Sequence, residues 1–414
     1  MKAPISYIFA CLAAFITAGI AQNSSYSPHQ QKYSSWMASS IISRGQGVMT
    51  GKGGSSELLQ AGITQKAFRR VVEQYPDAIS SPQIRSYITK SVDSTLGFLG
   101  NATKDAAYPL DRLSNGNNLV TLYDQTGNAS YKAVIESLRK SIDLQKRNEA
   151  GGLWYYVYPN WSYLDGMYSL APFYTLYTKL YDQTNTTAVD DIFYQIDALW
   201  ARCLDNSTGL LVHGYDYSKT AVWANPITGA SPHVWVRSLG WYMMSLVDTL
   251  EVSPLSHQSP AWKALLSKFQ QLSKAVAMAV DPTSRAWWQV LDQPGRAGNY
   301  IESSGSAMFV YSLLKGVRLG YVSDYGTVAA HAYRYIVDNF VVKNGSNISY
   351  NGTVTVCSLN STASYEVSQL AHVPNIADHD IPQYYISQPI LYDSVLGSGA
   401  FILASIEHEI YTSR

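Results

Sequence analysis

In the stretch Trp161–Thr178, WSYLDGMYSLAPFYTLYT, one carboxylate, Asp165, stands in a run that is otherwise apolar or aromatic. Ionising a carboxyl in such surroundings is costly, so its pKa is expected to rise and the group to hold a proton near neutral pH. That is what a general acid needs. Asp165 also suits a helix N-cap, because Asp at the start of a periodic run satisfies free backbone amides. Both readings stand at this level.

A second concentration of chemistry lies in Leu211–Trp241, LVHGYDYSKTAVWANPITGASPHVWVRSLGW. It is punctuated by Gly, Pro and Ser, which predicts a long loop leading into a helix near Trp235 or Ser238. Long loops in compact proteins tend to carry function. This one holds His213, Asp216, Lys219, Trp223, His233, Trp235, Arg237 and Trp241. Tryptophans beside an arginine and a histidine suit a sugar-binding wall, since flat aromatic faces stack on sugar rings. Plainer roles compete. Trp235 and Trp241 fit a helix core face, Arg237 a structural ion pair, His213 a backbone contact, and His233 a surface loop.

The elements that must position these groups are mainly helical. Apolar periodicity of helical type recurs over Trp36–Ser43, Ser56–Val72, Ile84–Phe98, Leu119–Tyr123, Tyr131–Leu144, Met167–Leu180, Val189–Cys203, Trp235–Leu250, Ala261–Ala279, Ser306–Leu319, Tyr325–Phe340 and Gly399–Tyr411. Strand-like alternation is confined to Leu153–Tyr158 and Tyr350–Cys357. LYDQTG at Leu122–Gly127 returns as LYDQTN at Leu180–Asn185, 58 residues later, each time closing one helix and opening the next. Repeats of this length predict serial helical hairpins. Five or six of them can close into a ring with a mouth, which suits these groups better than an open solenoid.

The chain begins Met1-Lys2, followed by an apolar run from Ile5 to Ile20, which reads as an export signal at residues 1–21. The run is too short and too poorly flanked for a membrane span. Ten N-x-Ser/Thr sites follow, at Asn23, Asn101, Asn128, Asn160, Asn185, Asn206, Asn344, Asn347, Asn351 and Asn360. They point to a secreted, N-glycosylated protein of a eukaryote. Two cysteines remain after the signal, Cys203 and Cys357, a candidate disulfide in an oxidising compartment. No spaced His/Cys cluster suggests a structural metal. The 30 basic and 30 acidic residues cancel without a basic run, which argues against nucleic acid or a membrane surface as partner. Residues 22–414 contain no linker or low-complexity tract, so a single domain is expected.

Four segments in order, LDGMYSLAPF, HGYD…WANPITGASPHVWVRSLGW, Trp287–Tyr321 and GSGAFILASIE at Gly397–Glu407, resemble glycoside hydrolase family 105. The resemblance runs over nearly the whole mature chain. It implies an all-α (α/α)6 barrel of six helical hairpins, and the activity of an unsaturated rhamnogalacturonyl hydrolase. It places Asp165 at the catalytic acid and Asp111, in YPLDRLSNGNNLVTLY, at a second active-site aspartate. His213 matches the histidine of the H-G-[YW]-D segment, and Trp223, Trp235, Arg237 and Trp241 the segment that lines the sugar site. The chain departs from the pattern at Tyr163, where Trp is frequent, and at Ser169, where Met is common.

The implied substrate is an unsaturated pectic oligosaccharide, and no cofactor is called for. Asp165 would protonate C4 of the C4=C5 vinyl ether and then help water attack C5. Arg237 would hold the substrate carboxylate, for which its planar fork is matched. Asp111 and His213 would hold the water or sugar hydroxyls, and Trp223 and Trp241 would stack on the ring. Two rivals remain. One is an ordinary two-carboxylate glycosidase on the same barrel, acting on saturated oligosaccharides with Asp165 and another acid, such as Asp216. The other is a non-catalytic carbohydrate-binding protein.

Overall fold

The computed structural model describes residues 32–359 and 381–414. The expected export signal and the sites Asn23 and Asn360 lie outside them. Described residues of Lys32–Arg414 form one compact unit. Its long helices, in chain order, are α1 (Tyr33–Ser43), α2 (Glu57–Gln74), α3 (Ser81–Leu96) and α4 (Gly116–Thr126). Then come α5 (Ala129–Leu144), α6 (Asp165–Tyr181), α7 (Thr186–Cys203) and α8 (Val236–Val252). The last four are α9 (Pro260–Met278), α10 (Ser303–Arg318), α11 (Gly326–Phe340) and α12 (Val395–Thr412).

Burial sorts them into two layers. Nearly every residue of α8, α10 and the first two-thirds of α12 is buried. A helix that is apolar all round belongs inside a larger protein. Helices α5, α9 and α11 bury only one stripe and face water on the other side. The inner helices touch in the cycle α2, α4, α6, α8, α10, α12 and back to α2, with the 3-10 turn Leu110–Asn115 bridging α2 to α6. Each inner helix has an outer companion: α3, α5, α7, α9, α11 and, for α12, α1. The chain therefore closes its ring by seating its first described helix on its last one. This is an (α/α)6 barrel of six hairpins.

The repeated LYDQT segments end inner helices α4 and α6. Asn128 and Asn185 then cap outer helices α5 and α7, their side-chain oxygens accepting from Ser130 N and Ala188 N. Such caps satisfy amides that a helix start leaves free. The other glycosylation sites among the described residues are exposed or half-buried.

Extended chain is limited to three short antiparallel pairs among the described residues. They join β1 (Trp161–Tyr163) to β2 (Gly214–Asp216), β3 (Val341–Asn344) to β4 (Asn347–Tyr350), and β5 (Thr353–Val354) to β6 (Ile390–Leu391). Tyr350–Cys357, read as strand-like, supplies the end of β4 and β5. Leu153–Tyr158 does not form a strand: it makes one isolated bridge at Leu153 and then turns across the mouth of the barrel. Its alternation reflects aromatic rings facing the cavity and one another, not a sheet. No described helix is long and apolar enough to cross a membrane.

Candidate active site

The residues that line the upper cavity show which way the inner helices run. Ser56 and Leu59 start α2, Asp111 precedes α4, Asp165 opens α6, Arg237 is in the first turn of α8, and Leu396 is in the first turn of α12. Helix N-termini therefore converge on one cavity of about 90 Å³. Their unpaired amides and aligned dipoles favour a negative ligand there.

The β1–β2 ladder brings the two sequence-distant segments together. Trp161 pairs with Asp216, Ser162 with Tyr215 and Tyr163 with Gly214, and Leu164 N donates to His213 O at 3.1 Å. A side chain at residue 214 would not fit, because its Cβ would lie 2.5 Å from Ser162 O. At Gly166 a Cβ would meet Leu110 at 2.8 Å and Tyr155 at 3.2 Å. That close approach is what lets Asp165 and the Asp111 turn share one cavity.

Asp165 is not a helix cap. The cap position is Leu164, without a side-chain bond, and the Asp165 carboxylate turns into the cavity instead. Its Oδ2 accepts from Ser238 Oγ at 2.5 Å and lies 3.3 Å from His213 Nε2. His213 Nδ1 lies 3.0 Å from the Tyr385 hydroxyl, and the ring is flanked by Tyr163 and Trp235 at about 5 Å between centroids. Both contacts are met with Nε2–H donating to Asp165 and Nδ1 accepting the Tyr385 O–H.

Asp111 also lines the cavity. Its Oδ2 accepts from the Tyr155 hydroxyl at 2.8 Å, while its buried Oδ1 has no protein partner. Burial is the main force that pushes the Asp111 carboxyl up to about 7. The Tyr155 hydrogen bond opposes this, the Asp165 charge adds to it, and Arg112 opposes it. The resolved upward shift thus falls on Asp111, whereas the sequence reading put the elevated proton on Asp165. Asp111 is the less exposed of the two, at 4% against 9% for Asp165.

Arg237 lines the same cavity but is already heavily engaged. Nη1 donates to Val354 O and Nη2 to Thr355 O, both at 2.5 Å, with Ser304 Oγ at 3.5 Å and Glu302 at 4.0 Å from Nη1. The guanidinium also lies 4.7 Å over the Trp235 ring. It pins the Thr353–Val354 strand to the barrel mouth, and only part of its donor fork faces the cavity.

Trp235 and Trp241 line the cavity; Trp223 does not. Trp223 is fully buried behind the site, edge-on to Trp161 and Tyr163, where it backs β1. Asp216 is buried too, and both its oxygens are held by the loop Ser218–Ala221 through three backbone amides and the Ser218 hydroxyl. Cys203 and Cys357 are both buried and both free, which corrects the disulfide expectation. Cys203 ends outer helix α7, whereas Cys357 lines the cavity beside Gln289, with its thiol pushed up to about 12 by burial.

Sequence reasoning missed Ser238, Tyr155 and Tyr385. Ser238 follows Arg237 directly, so its place on the same helix start was there to be found. Tyr385 touches His213 across 172 residues and left no local signal.

Residues 59–412 match the family model described as Glycosyl Hydrolase Family 88. A solved family 105 glycoside hydrolase from C. acetobutylicum is 35% identical, with a TM-score of 0.77 over 92% of this chain and all of that one. An unsaturated glucuronyl hydrolase from Bacillus sp. GL1, responsible for glycosaminoglycan degradation, shares the fold at 10% identity. Its TM-score is 0.62 over 90% of this chain and 94% of that one. The 24.9 kDa protein in the picA locus of Rhizobium radiobacter is 32% identical over 225 residues, covering 53% of this chain and 90% of its own.

Proposed function

The chain belongs to glycoside hydrolase family 88/105, and from that premise we propose that it removes the terminal 4,5-unsaturated uronic acid from lyase-generated rhamnogalacturonan or pectin oligosaccharides. The observation that carries this reading is the meeting of Asp111, Asp165, His213 and Arg237 in one cavity at a ring of helix N-termini.

Burial, with the Asp165 charge adding to it and the Tyr155 hydrogen bond opposing it, raises the Asp111 carboxyl to about 7, so the cavity stores a proton near neutrality. In this reading Asp111 passes that proton to Asp165, which is held by Ser238 and His213 and delivers it to C4 as positive charge develops at C5 and the ring oxygen. Its carboxylate then takes a proton from water as the water oxygen bonds to C5. The resulting hemiketal opens to a ketone at C5, leaving a hemiacetal at C1 that expels the aglycone as an alcohol. One water is consumed and the proton returns to the pair. The substrate carboxylate lies toward the part of Arg237 not bound to Val354 and Thr355, where helix dipoles add to the attraction. Trp241 and Trp235 wall the ring, while Trp223 backs the β1 segment that leads into Asp165. The apolar run Ile5–Ile20, read as an export signal, and the N-x-Ser/Thr sequences, read as glycan acceptors, support action outside the cell.

Asp216 is a poor second acid for the two-carboxylate alternative, since both its oxygens are committed to its own loop. The test is to incubate the protein with an unsaturated galacturonyl-rhamnose disaccharide and follow the loss of C=C absorbance. Wild type is expected to turn over and Asp165→Asn to slow by 10²–10⁴-fold, the usual worth of a positioned acid. Equal rates, or equal activity on the saturated disaccharide, would overturn the reading.

A further inference from the structure

An imidazole has two tautomers, and only one of them lets His213 offer Asp165 a hydrogen. Nε2 lies 3.3 Å from Asp165 Oδ2, and Nδ1 lies 3.0 Å from the Tyr385 hydroxyl. The far contact decides between them. Tyr385 is fully buried, and among the described residues His213 Nδ1 is the polar group its hydroxyl meets. Burial, chiefly, holds the phenol well above its ordinary range, so it keeps its hydrogen. Facing an Nδ1–H, that hydrogen would be buried without an acceptor, which costs more than the bond is worth. The O–H therefore donates to a bare Nδ1, and the ring hydrogen falls on Nε2, toward Asp165.

Tyr385 is itself held in place. It lies in the short helix Ile381–Ser387, far along the chain from His213. Its carbonyl accepts from Gln289 Nε2 at 3.0 Å, and Gln289 Oε1 accepts from Trp235 Nε1 at 3.2 Å. Its ring packs beside His213 and Trp235, at 5.9 and 6.2 Å between centroids. Neighbouring Tyr384 ties the same helix down elsewhere, its hydroxyl donating to Ser358 O at 2.5 Å. Tyr385 does not line the cavity, so it reaches a substrate only through His213.

Nε2–H and the Ser238 hydroxyl both fall on Asp165 Oδ2, and no described group donates to Oδ1. Oδ2 accepts both bonds whether it is the carbonyl oxygen of the acid or part of a carboxylate. The transferable proton then belongs on Oδ1. In the other tautomer a bare Nε2 would face Oδ2, lone pair against lone pair, and would destabilise the carboxylate left once C4 has taken the proton.

We propose that Tyr385 is a positioning residue for the proton transfer: its hydroxyl fixes the His213 tautomer that presents Nε2–H to Asp165. The effect on rate rests on the hydrolytic reading; the tautomer does not. Nitrogen NMR of the full chain, with His213 assigned by the signals that vanish in His213→Gln, distinguishes a bare ring nitrogen from one carrying hydrogen. Wild type shows Nδ1 bare and Nε2 protonated, and Tyr385→Phe, which keeps the ring, loses the hydrogen-bonded Nδ1 signal. On the unsaturated disaccharide Tyr385→Phe lowers kcat about tenfold, the worth of one hydrogen bond, and leaves KM near wild type. Tyr384→Phe loosens the same helix without touching His213, and leaves tautomer and kcat near wild type. Hydrogen on Nδ1 in wild type, an unchanged kcat in Tyr385→Phe, or an equal loss in Tyr384→Phe would overturn the proposal. The wild-type spectrum decides even where a variant fails to fold. A wild type with Nε2 protonated but inactive on the disaccharide would overturn the hydrolytic reading, whereas an active one with hydrogen on Nδ1 would overturn this proposal alone.

Discussion

Replacing Asp111 by Asn is the sharpest test of how the cavity stores its proton. The folded carboxyl sits at about 7 against an ordinary value of 3.8, so the folded state binds more protons than the unfolded chain between those limits. The slope of stability against pH is therefore negative there: the group's contribution is flat below about pH 4, declines from about pH 4 to 7, and is flat again above. A shift of about three units corresponds to roughly 4 kcal/mol of stability lost by wild type across that window. Asn keeps the shape and an oxygen for the Tyr155 hydroxyl but has no proton to lose. Urea unfolding at half-unit steps from pH 4 to 8 should show the variant gaining on wild type by up to about 4 kcal/mol as pH rises. Parallel curves would refute the claim that burial holds a proton on Asp111.

Ser238→Ala removes the hydroxyl bonded to Asp165 Oδ2 at 2.5 Å, and should cut kcat by about tenfold through a loss of ~1.5 kcal/mol while leaving KM near wild type. A KM effect alone would count against a positioning role. Arg237→Lys cannot span the Val354 and Thr355 carbonyls, so it should cost about 1–3 kcal/mol of stability and raise KM for the unsaturated disaccharide. An unchanged melting curve would show that the strut is dispensable. Thiol titration of the chain from residue 22 onward should find no reactive cysteine in the native protein and two after denaturation without reductant, because Cys203 and Cys357 are buried and free. Two thiols appearing only after reduction would indicate a disulfide.

Much of the fold was legible because it rests on local rules. Helical periodicity marked each long helix to within a few residues, and the repeated LYDQT segments marked where inner helices hand over to capped outer ones. Ring closure was less visible, since the contact of α1 with α12 joins opposite ends of the chain and leaves no spacing to read. Asp165 and His213 stood out as polar groups among aromatics, and β1–β2 pairing makes them neighbours. Trp223 and Trp241 look alike in sequence; only packing puts one behind the cavity and the other in its wall. Arg237 was read as an open fork because the carbonyls that occupy it come from residues 354 and 355, far along the chain. Which carboxyl burial would raise depends on surroundings assembled from several helices, so the shift at Asp111 was not accessible from composition.

The most direct test of the central claim is where solvent hydrogen enters the product. Turnover of the unsaturated galacturonyl-rhamnose disaccharide in D₂O, read by NMR at the earliest time points, should show one deuteron added at C4 as the C4=C5 double bond disappears, with Asp165→Asn forming no such product at a comparable rate. Release of rhamnose with the double bond intact, or deuteration at C4 that proceeds equally well without the Asp165 carboxyl, would contradict it.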